Sequence, residues 1–113
     1  MAPAPERLRR RAEFLRVAAK GTRAAVHGLV LQALPREPDA PARLGFTVTK
    51  RVGNAVVRNR TRRRLKEAAR LLLRERPVAG VDLVLIGREA TRGRDFPALI
   101  DDLRRALAKV GVA

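Results

Sequence analysis

The fold turns on RLGFTVTKRVGNAVVRNRTRRRLKEAARLLLRERPVAGVDLVLI, the stretch from Arg43 to Ile86. Over residues 43–50 Leu44, Phe46 and Val48 alternate with Thr47 and Thr49, which predicts a half-buried strand. Gly53-Asn54 marks a turn. A long helix follows, starting at Val56 or Arg58 and running to Arg76, where Pro77 and Gly80 stop it. Residues 81–86, VDLVLI, are nearly all apolar, as a central strand covered on both faces requires. Strand, helix and strand together have the length of a crossover joining a parallel pair.

Working outward, residues 8–20 carry Leu8, Ala12, Leu15 and Ala19 at helical steps, with Phe14 and Val17 on a neighbouring stripe. Residues 1–6 look like a loose tail. Residues 28–34, GLVLQAL, read as a strand, and the prolines at 35, 38 and 41 make the next segment a loop. Residues 95–110 form a last helix, with Phe96, Leu99, Ile100, Leu103, Ala106 and Leu107 inward and Asp95 at its favourable N-terminus. The expected order is α-β-β-α-β-α. It describes an α+β sandwich over residues 1–113, with helices on a small mixed sheet and one domain in all.

Hydrophobic residues make up 46% of the 113, enough for a core in spite of a net charge of +15. Such a charge calls for a polyanion, with nucleic acid first and a membrane surface second. The absence of cysteine removes disulfides, thiolate metal sites and thiol nucleophiles, and fits a reducing cytoplasm. The N-terminal MAPAPERLRRR lacks the apolar centre of a signal peptide. Arginine far outnumbers lysine, which suits bidentate phosphate binding.

Residues 50–76 hold eleven of the 26 basic residues and two acids, Glu67 and Glu75. On a helix of about 3.6 residues per turn, Thr61, Leu65, Ala68, Ala69 and Leu72 share one side. Arg62, Lys66, Arg70 and Arg74 form a ladder beside it, Arg63 widens the ladder, and Arg60 and Arg64 point elsewhere. A solvated face would normally place Glu ahead of its cations, and this ladder is expected to lack such partners. A nucleic acid backbone would relieve the repulsion. A phosphate at the helix start would offset Arg58, which opposes the helix dipole there.

Asn54-Ala55-Val56-Val57 followed by Arg58-Asn59-Arg60 and the basic run resembles the signature of the bacterial ribonuclease P protein family. The family's other landmarks occur in order. Phe14 and Val17 lie on the first helix, Arg43, Gly45, Val48 and Lys50 on the strand before the signature, and Arg88 after the last strand. The resemblance spans roughly residues 6–108. It implies a left-handed crossover, against the usual rule. It also implies a subunit that binds a catalytic RNA, one protein copy per RNA, and helps remove the 5′ leader of precursor tRNA. The active site and its Mg²⁺ would belong to the RNA, with no cofactor bound by the protein and no catalytic residue in it.

The resemblance places Arg58, Asn59, Arg60, Arg62 and Arg63 against the RNA subunit, and helical spacing extends that surface through Lys66 and Arg70. A leader cleft between the first helix and the sheet would take Phe14, Lys50, Arg51 and Arg88. Ala18 and Gln32 stand where many members place cleft aromatics, and Glu89 replaces a common basic residue. Leader stacking, worth about 1–3 kcal/mol per base, is therefore expected to be weaker here, or to use arginine.

His27 has no second His or Cys to share a metal, and Asp101, Asp102 and Asp95 read as helix-surface and capping groups. No Ser/His/Asp set or phosphate-cradling glycine loop is present. A structural RNA-binding protein of the ribosomal kind would share the charge and size, and so would a DNA-compacting protein. Neither would need Phe14, Lys50 and Arg58-Asn59-Arg60 in this order. Membrane binding would need an apolar stripe that the core already uses.

Overall fold

The computed structural model describes residues 4–112. The apolar segment Val81–Gly87 is strand β5 of a five-stranded sheet, in the order β1-β4-β5-β3-β2. Here β1 is Glu6–Arg7, β2 is Thr22–Ala25, β3 is Leu29–Pro35 and β4 is Arg43–Thr47. The helices are α1 (Arg11–Lys20), α2 (Ala55–Glu75), α3 (Glu89–Gly93) and α4 (Phe96–Lys109). Strand β5 runs antiparallel to β3, from Leu29 opposite Gly87 to Pro35 opposite Val81. It runs parallel to β4, from Arg43 opposite Asp82 to Thr47 opposite Ile86. The expected crossover is therefore present, and its helix is α2.

Three short elements join the expected six. Strand β1 pairs in parallel with β4 at Arg43 and Leu44, so Glu6 is not tail; residues 1–3 of the expected tail lie outside the described residues. Strand β2 makes an antiparallel hairpin with β3. Helix α3 fills part of the link before α4. None carries an apolar alternation of its own. Strand β4 also ends at Thr47, earlier than expected, and Lys50–Val52 form a 3₁₀ turn.

Helix α2 starts at Asn54, whose side-chain oxygen accepts the Val57 N–H at 3.0 Å. This is ordinary N-capping. Its buried stripe is Thr61, Leu65, Ala68, Ala69, Leu72 and Leu73. The lone hydroxyl there, on Thr61, donates to the Val57 carbonyl at 2.8 Å and so costs little to bury. Leu99, Leu103, Ala106 and Leu107 of α4 join this layer, against Leu29, Leu31, Leu83 and Leu85 of the sheet.

The opposite face is different. Leu8, Val17 and Val84 make a small cluster, with Phe14, Leu34 and Ile86 at its edge. Helix α1 begins at Arg11, so Leu8 precedes it. Its expected stripe of Ala12, Leu15 and Ala19 faces solvent, with Leu15 53% exposed, while Val17 is buried and Phe14 half-buried. The helix is short and touches the sheet along one narrow line, which the neighbouring stripe supplies. Gly45 permits this approach, because a Cβ there would run into the Phe14 ring. Ions complete the contact. Arg43 donates to both oxygens of Asp82, at 2.8 and 2.6 Å, and to Glu13 Oε2 at 2.7 Å. The other oxygen of Glu13 accepts the backbone N–H groups of Arg9 and Arg10, both at 2.9 Å, and so caps α1.

Asp102 is not a surface group. Its side chain is fully buried, and it accepts from Arg94 at 2.8 and 3.1 Å and from Arg105 at 2.7 Å. Burial pushes its carboxyl up, but these hydrogen bonds outweigh burial and hold it below the ordinary range. Asp95 precedes α4 as its cap residue, with no capping bond from its side chain.

Candidate nucleic-acid interface

The core claims one side of α2 and leaves the other to the cations. Arg63 is exposed at the middle of that polar side. Arg62 is half-buried and donates to the Asn59 side-chain oxygen at 3.0 Å, so the two form a unit on the surface. Arg58 is half-buried too, and its Nε is buried without a hydrogen-bond partner. The first turn of α2 contains no acid. Arg58 and the helix start therefore add positive potential at one place, where an anion would be accommodated.

The ladder is not wholly unpaired, contrary to expectation. Arg70 donates to both oxygens of Glu67, at 3.1 and 2.5 Å, in an exposed pair. The hydrogen bonds from Arg70 lower the Glu67 carboxyl, and Glu67 raises Arg70 in turn. Exposed pairs of this kind contribute little to stability. Lys66 lies half-buried between its neighbours; burial first, then Arg7 and Arg62, lower its affinity for a proton.

Arg60 and Arg64 do leave the ladder. They line a recess of about 360 Å³ against α3, together with Arg92 and Glu89. Arg64 donates to the Arg94 carbonyl and sits 5.7 Å from the centre of the Phe96 ring. Arg92 had no distinguishing mark in the sequence, because only the position of the short helix α3 brings it here.

The parallel pairing of β4 and β5 puts their C-terminal ends at the same end of the sheet. Lys50 and Arg51 follow β4, and Arg88 follows β5; all three are exposed. Arg88 is tethered. Its Nη1 donates to the Val26 carbonyl at 2.7 Å, and its backbone N–H donates to the Thr91 hydroxyl at 2.8 Å. Glu89 lies beside it in a shallow recess shared with His27. Phe14 sits over the middle of β4, but its ring is packed into the small cluster and is no free platform. Ala18 is exposed, and Gln32 is half-buried on β3 opposite Val84.

Among the described residues, no group of three or more His, Cys, Asp or Glu could hold a metal ion. Glu13, Asp82 and Asp102 are already bound to arginines. No helix of the described residues is long and apolar enough to cross a membrane.

The model of the ribonuclease P family matches residues 2–111. The ribonuclease P protein component of Gluconacetobacter diazotrophicus is 65% identical over 99% of this chain and 97% of that protein. The component of Symbiobacterium thermophilum is 37% identical over 94% of this chain and 91% of its own length. The solved RNase P protein of Staphylococcus aureus superposes with a TM-score of 0.79 at 25% identity, covering 94% of this chain and 95% of that one. The Thermotoga maritima RNase P protein gives 0.72 at 27% identity, over 93% and 97%. With its α+β architecture and the cation-rich face of α2, the chain belongs to the ribonuclease P protein family.

Proposed function

We propose that this member of the ribonuclease P protein family grips the catalytic RNA of its holoenzyme through α2 and steers the 5′ leader of precursor tRNA along the open face of the sheet. The observation that carries the reading is the division of α2. Its apolar side is committed to the core, and its free side presents Arg58, Asn59, Arg60, Arg62, Arg63, Lys66 and Arg70. A helix so anchored keeps its cations in fixed register and offers a ready surface to a phosphate backbone.

Phe14, Lys50, Arg51 and Arg88 are assigned to the leader. Because Phe14 is half-buried, it offers at most a ring edge, and the exposed cations carry more of the contact. This fits the absence of aromatics at Ala18 and Gln32. In this reading Mg²⁺ is held by RNA phosphates, one protein copy serves each RNA in the cytoplasm, and the protein cuts nothing alone. Its part is to lower repulsion between two polyanions and to hold the leader in line.

The test is cleavage of a precursor tRNA at low Mg²⁺ by a bacterial ribonuclease P RNA, with the protein, without it, and with the protein alone. Cleavage only when both are present is expected. Binding to the RNA without rescue of cleavage would favour a purely structural role, and cleavage by the protein alone would overturn the assignment of chemistry to RNA.

A further inference from the structure

A groove of about 470 Å³ lies between the β1 edge of the sheet and the C-terminal half of α2. Its floor is apolar, made by Leu44 and Phe46 of β4 and by Ala69 and Leu73 of α2. Its rim is cationic, made by Arg7 of β1 and by Lys66, Arg70 and Arg74 from successive turns of α2. Among the described residues that line it, none is acidic; Glu67 reaches Arg70 without lining the groove. The Arg7 guanidinium lies 5.1 Å from the centre of the Phe46 ring. Together they make a flat, polarisable platform at the end of a cationic track.

Two independent features select the occupant. An apolar floor with a guanidinium laid over a ring accepts a planar aromatic group, which can stack on the guanidinium and lie against the ring's edge. Cations four residues apart on a helix rise about 6 Å per step, a pitch that follows a strand from one phosphate to the next. A base with its flanking phosphates has both properties. A simple anion uses only the rim. The crowding of Arg7, Arg62 and Lys66 also makes the empty rim repulsive, which a phosphate would relieve.

We propose that this groove takes one unpaired nucleotide of the RNA partner, its base against Arg7 and Phe46 and its flanking phosphates on Lys66, Arg70 and Arg74. The proposal rests on α2 as the RNA interface and deepens it. The exposed arginines near the start of α2 sense backbone charge alone, whereas this groove would sense a base that has left its helix. It would make binding depend on the folded state of the RNA.

The test is base-specific chemical probing of the ribonuclease P RNA, free and bound to the full chain, beside backbone footprinting. The variants are Phe46→Leu, which keeps bulk and removes the ring, and Arg7→Ala. At least one unpaired base should be shielded by the unaltered protein and regain the reactivity of free RNA with either variant. The backbone footprint should persist, and affinity should fall about tenfold, within the range that loss of one stacked base produces. Thermal unfolding checks Phe46→Leu, and Arg7→Ala, at an exposed edge, decides the matter if that variant misfolds. Identical base reactivity in every complex would overturn the groove while leaving the interface intact. No footprint from the unaltered protein would overturn the interface itself. A peptide of glutamates that displaces the RNA, where adenosine monophosphate shifts no Phe46 signal, would also overturn it in favour of an acidic protein segment.

Discussion

On one face of the sheet, α2 and α4 meet Leu29, Leu31, Leu83 and Leu85 in a continuous apolar layer. On the other, α1 packs through Val17 and Phe14 in a small cluster with Leu8, Leu34, Val84 and Ile86, and the Arg43–Asp82–Glu13 ions do the rest. The first arrangement stabilises through buried area, which is indifferent to direction. The second uses directional bonds to hold a short helix in place, so α1 can sit where the sheet is left partly uncovered. Stability and access to a ligand are thus divided between two sides of one layer.

Truncation on each side should show the largest effect. Leu83 and Val84 are neighbours on β5 that face opposite ways, and both are buried. Leu83→Ala should cost about 2–5 kcal/mol, as large-to-small changes in a close-packed core do. Val84→Ala should cost about 1.5 kcal/mol, at about 0.8 kcal/mol for each buried carbon removed. Urea denaturation measures both. Equal losses would break the comparison.

Next comes Arg43→Met, which leaves the buried Asp82 carboxylate without its two hydrogen bonds and with only Arg36, at 3.9 Å, nearby. A loss of about 1–3 kcal/mol is expected, the usual cost of an unsatisfied buried group. Hydrogen exchange should quicken in α1 more than in α2. Uniform quickening would mean that the ions support the whole fold and not one helix.

Acid should sharpen the contrast from the other direction. The folded protein holds the Asp102 carboxyl below its ordinary value of 3.8. Below that value the unfolded chain takes up a proton that the folded chain refuses, so stability rises with pH there. The contribution is complete above about pH 4 and drains away as the pH falls through the lowered folded value. Asp102→Asn should flatten this part of a stability–pH curve. An unchanged curve would place the acid sensitivity elsewhere, with Glu13 the next carboxyl to test.

On the cationic side of α2, Arg63→Ala removes no hydrogen bond or ion pair among the described residues. It should leave thermal stability unchanged and reduce the salt slope of RNA binding by about 0.7–0.9 for each phosphate the side chain no longer neutralises. Arg62→Ala also releases Asn59, so it should weaken assembly somewhat more. An unchanged slope in both would argue against phosphate binding by this face. The smallest effect is expected from Phe14→Leu, which keeps most of the packing on Gly45. It should weaken binding of leader-bearing substrate only a few-fold and spare mature tRNA; equal loss for both would remove Phe14 from the cleft.

The same division explains what could be read from the residues alone. The α2 stripe from Thr61 to Leu72, the apolar β5 and the inner side of α4 all pack against a broad layer, and broad burial writes a period into the sequence. The open face writes little. Strand β1 is Glu6–Arg7, two charged residues held by backbone bonds to β4, and no periodicity can announce two residues. In α1 the more regular stripe, Leu15 with its alanines, lies in solvent, because a narrow contact needs only Phe14 and Val17. Arg62 and Arg63 were legible because a helix fixes their direction. Arg7 and Arg92 were not, since distant pairing and a five-residue helix bring them to their grooves. Asp102 looked like its exposed neighbour Asp101 until Arg94 and Arg105 closed over it.

The sheet order carries a consequence for how the protein is made. Strand β5 joins the β2–β3 hairpin to the β1–β4 pair, yet it is the last strand to leave the ribosome. Without β5 the chain has two unconnected pairs of strands and a cation-rich helix that lacks most of the surface it packs against. Non-local pairing of this sort comes late and slowly. Until then the sheet lacks the strand that joins its two halves. Closure of the sheet, and with it the full packing of the apolar side of α2, waits on Val81–Gly87.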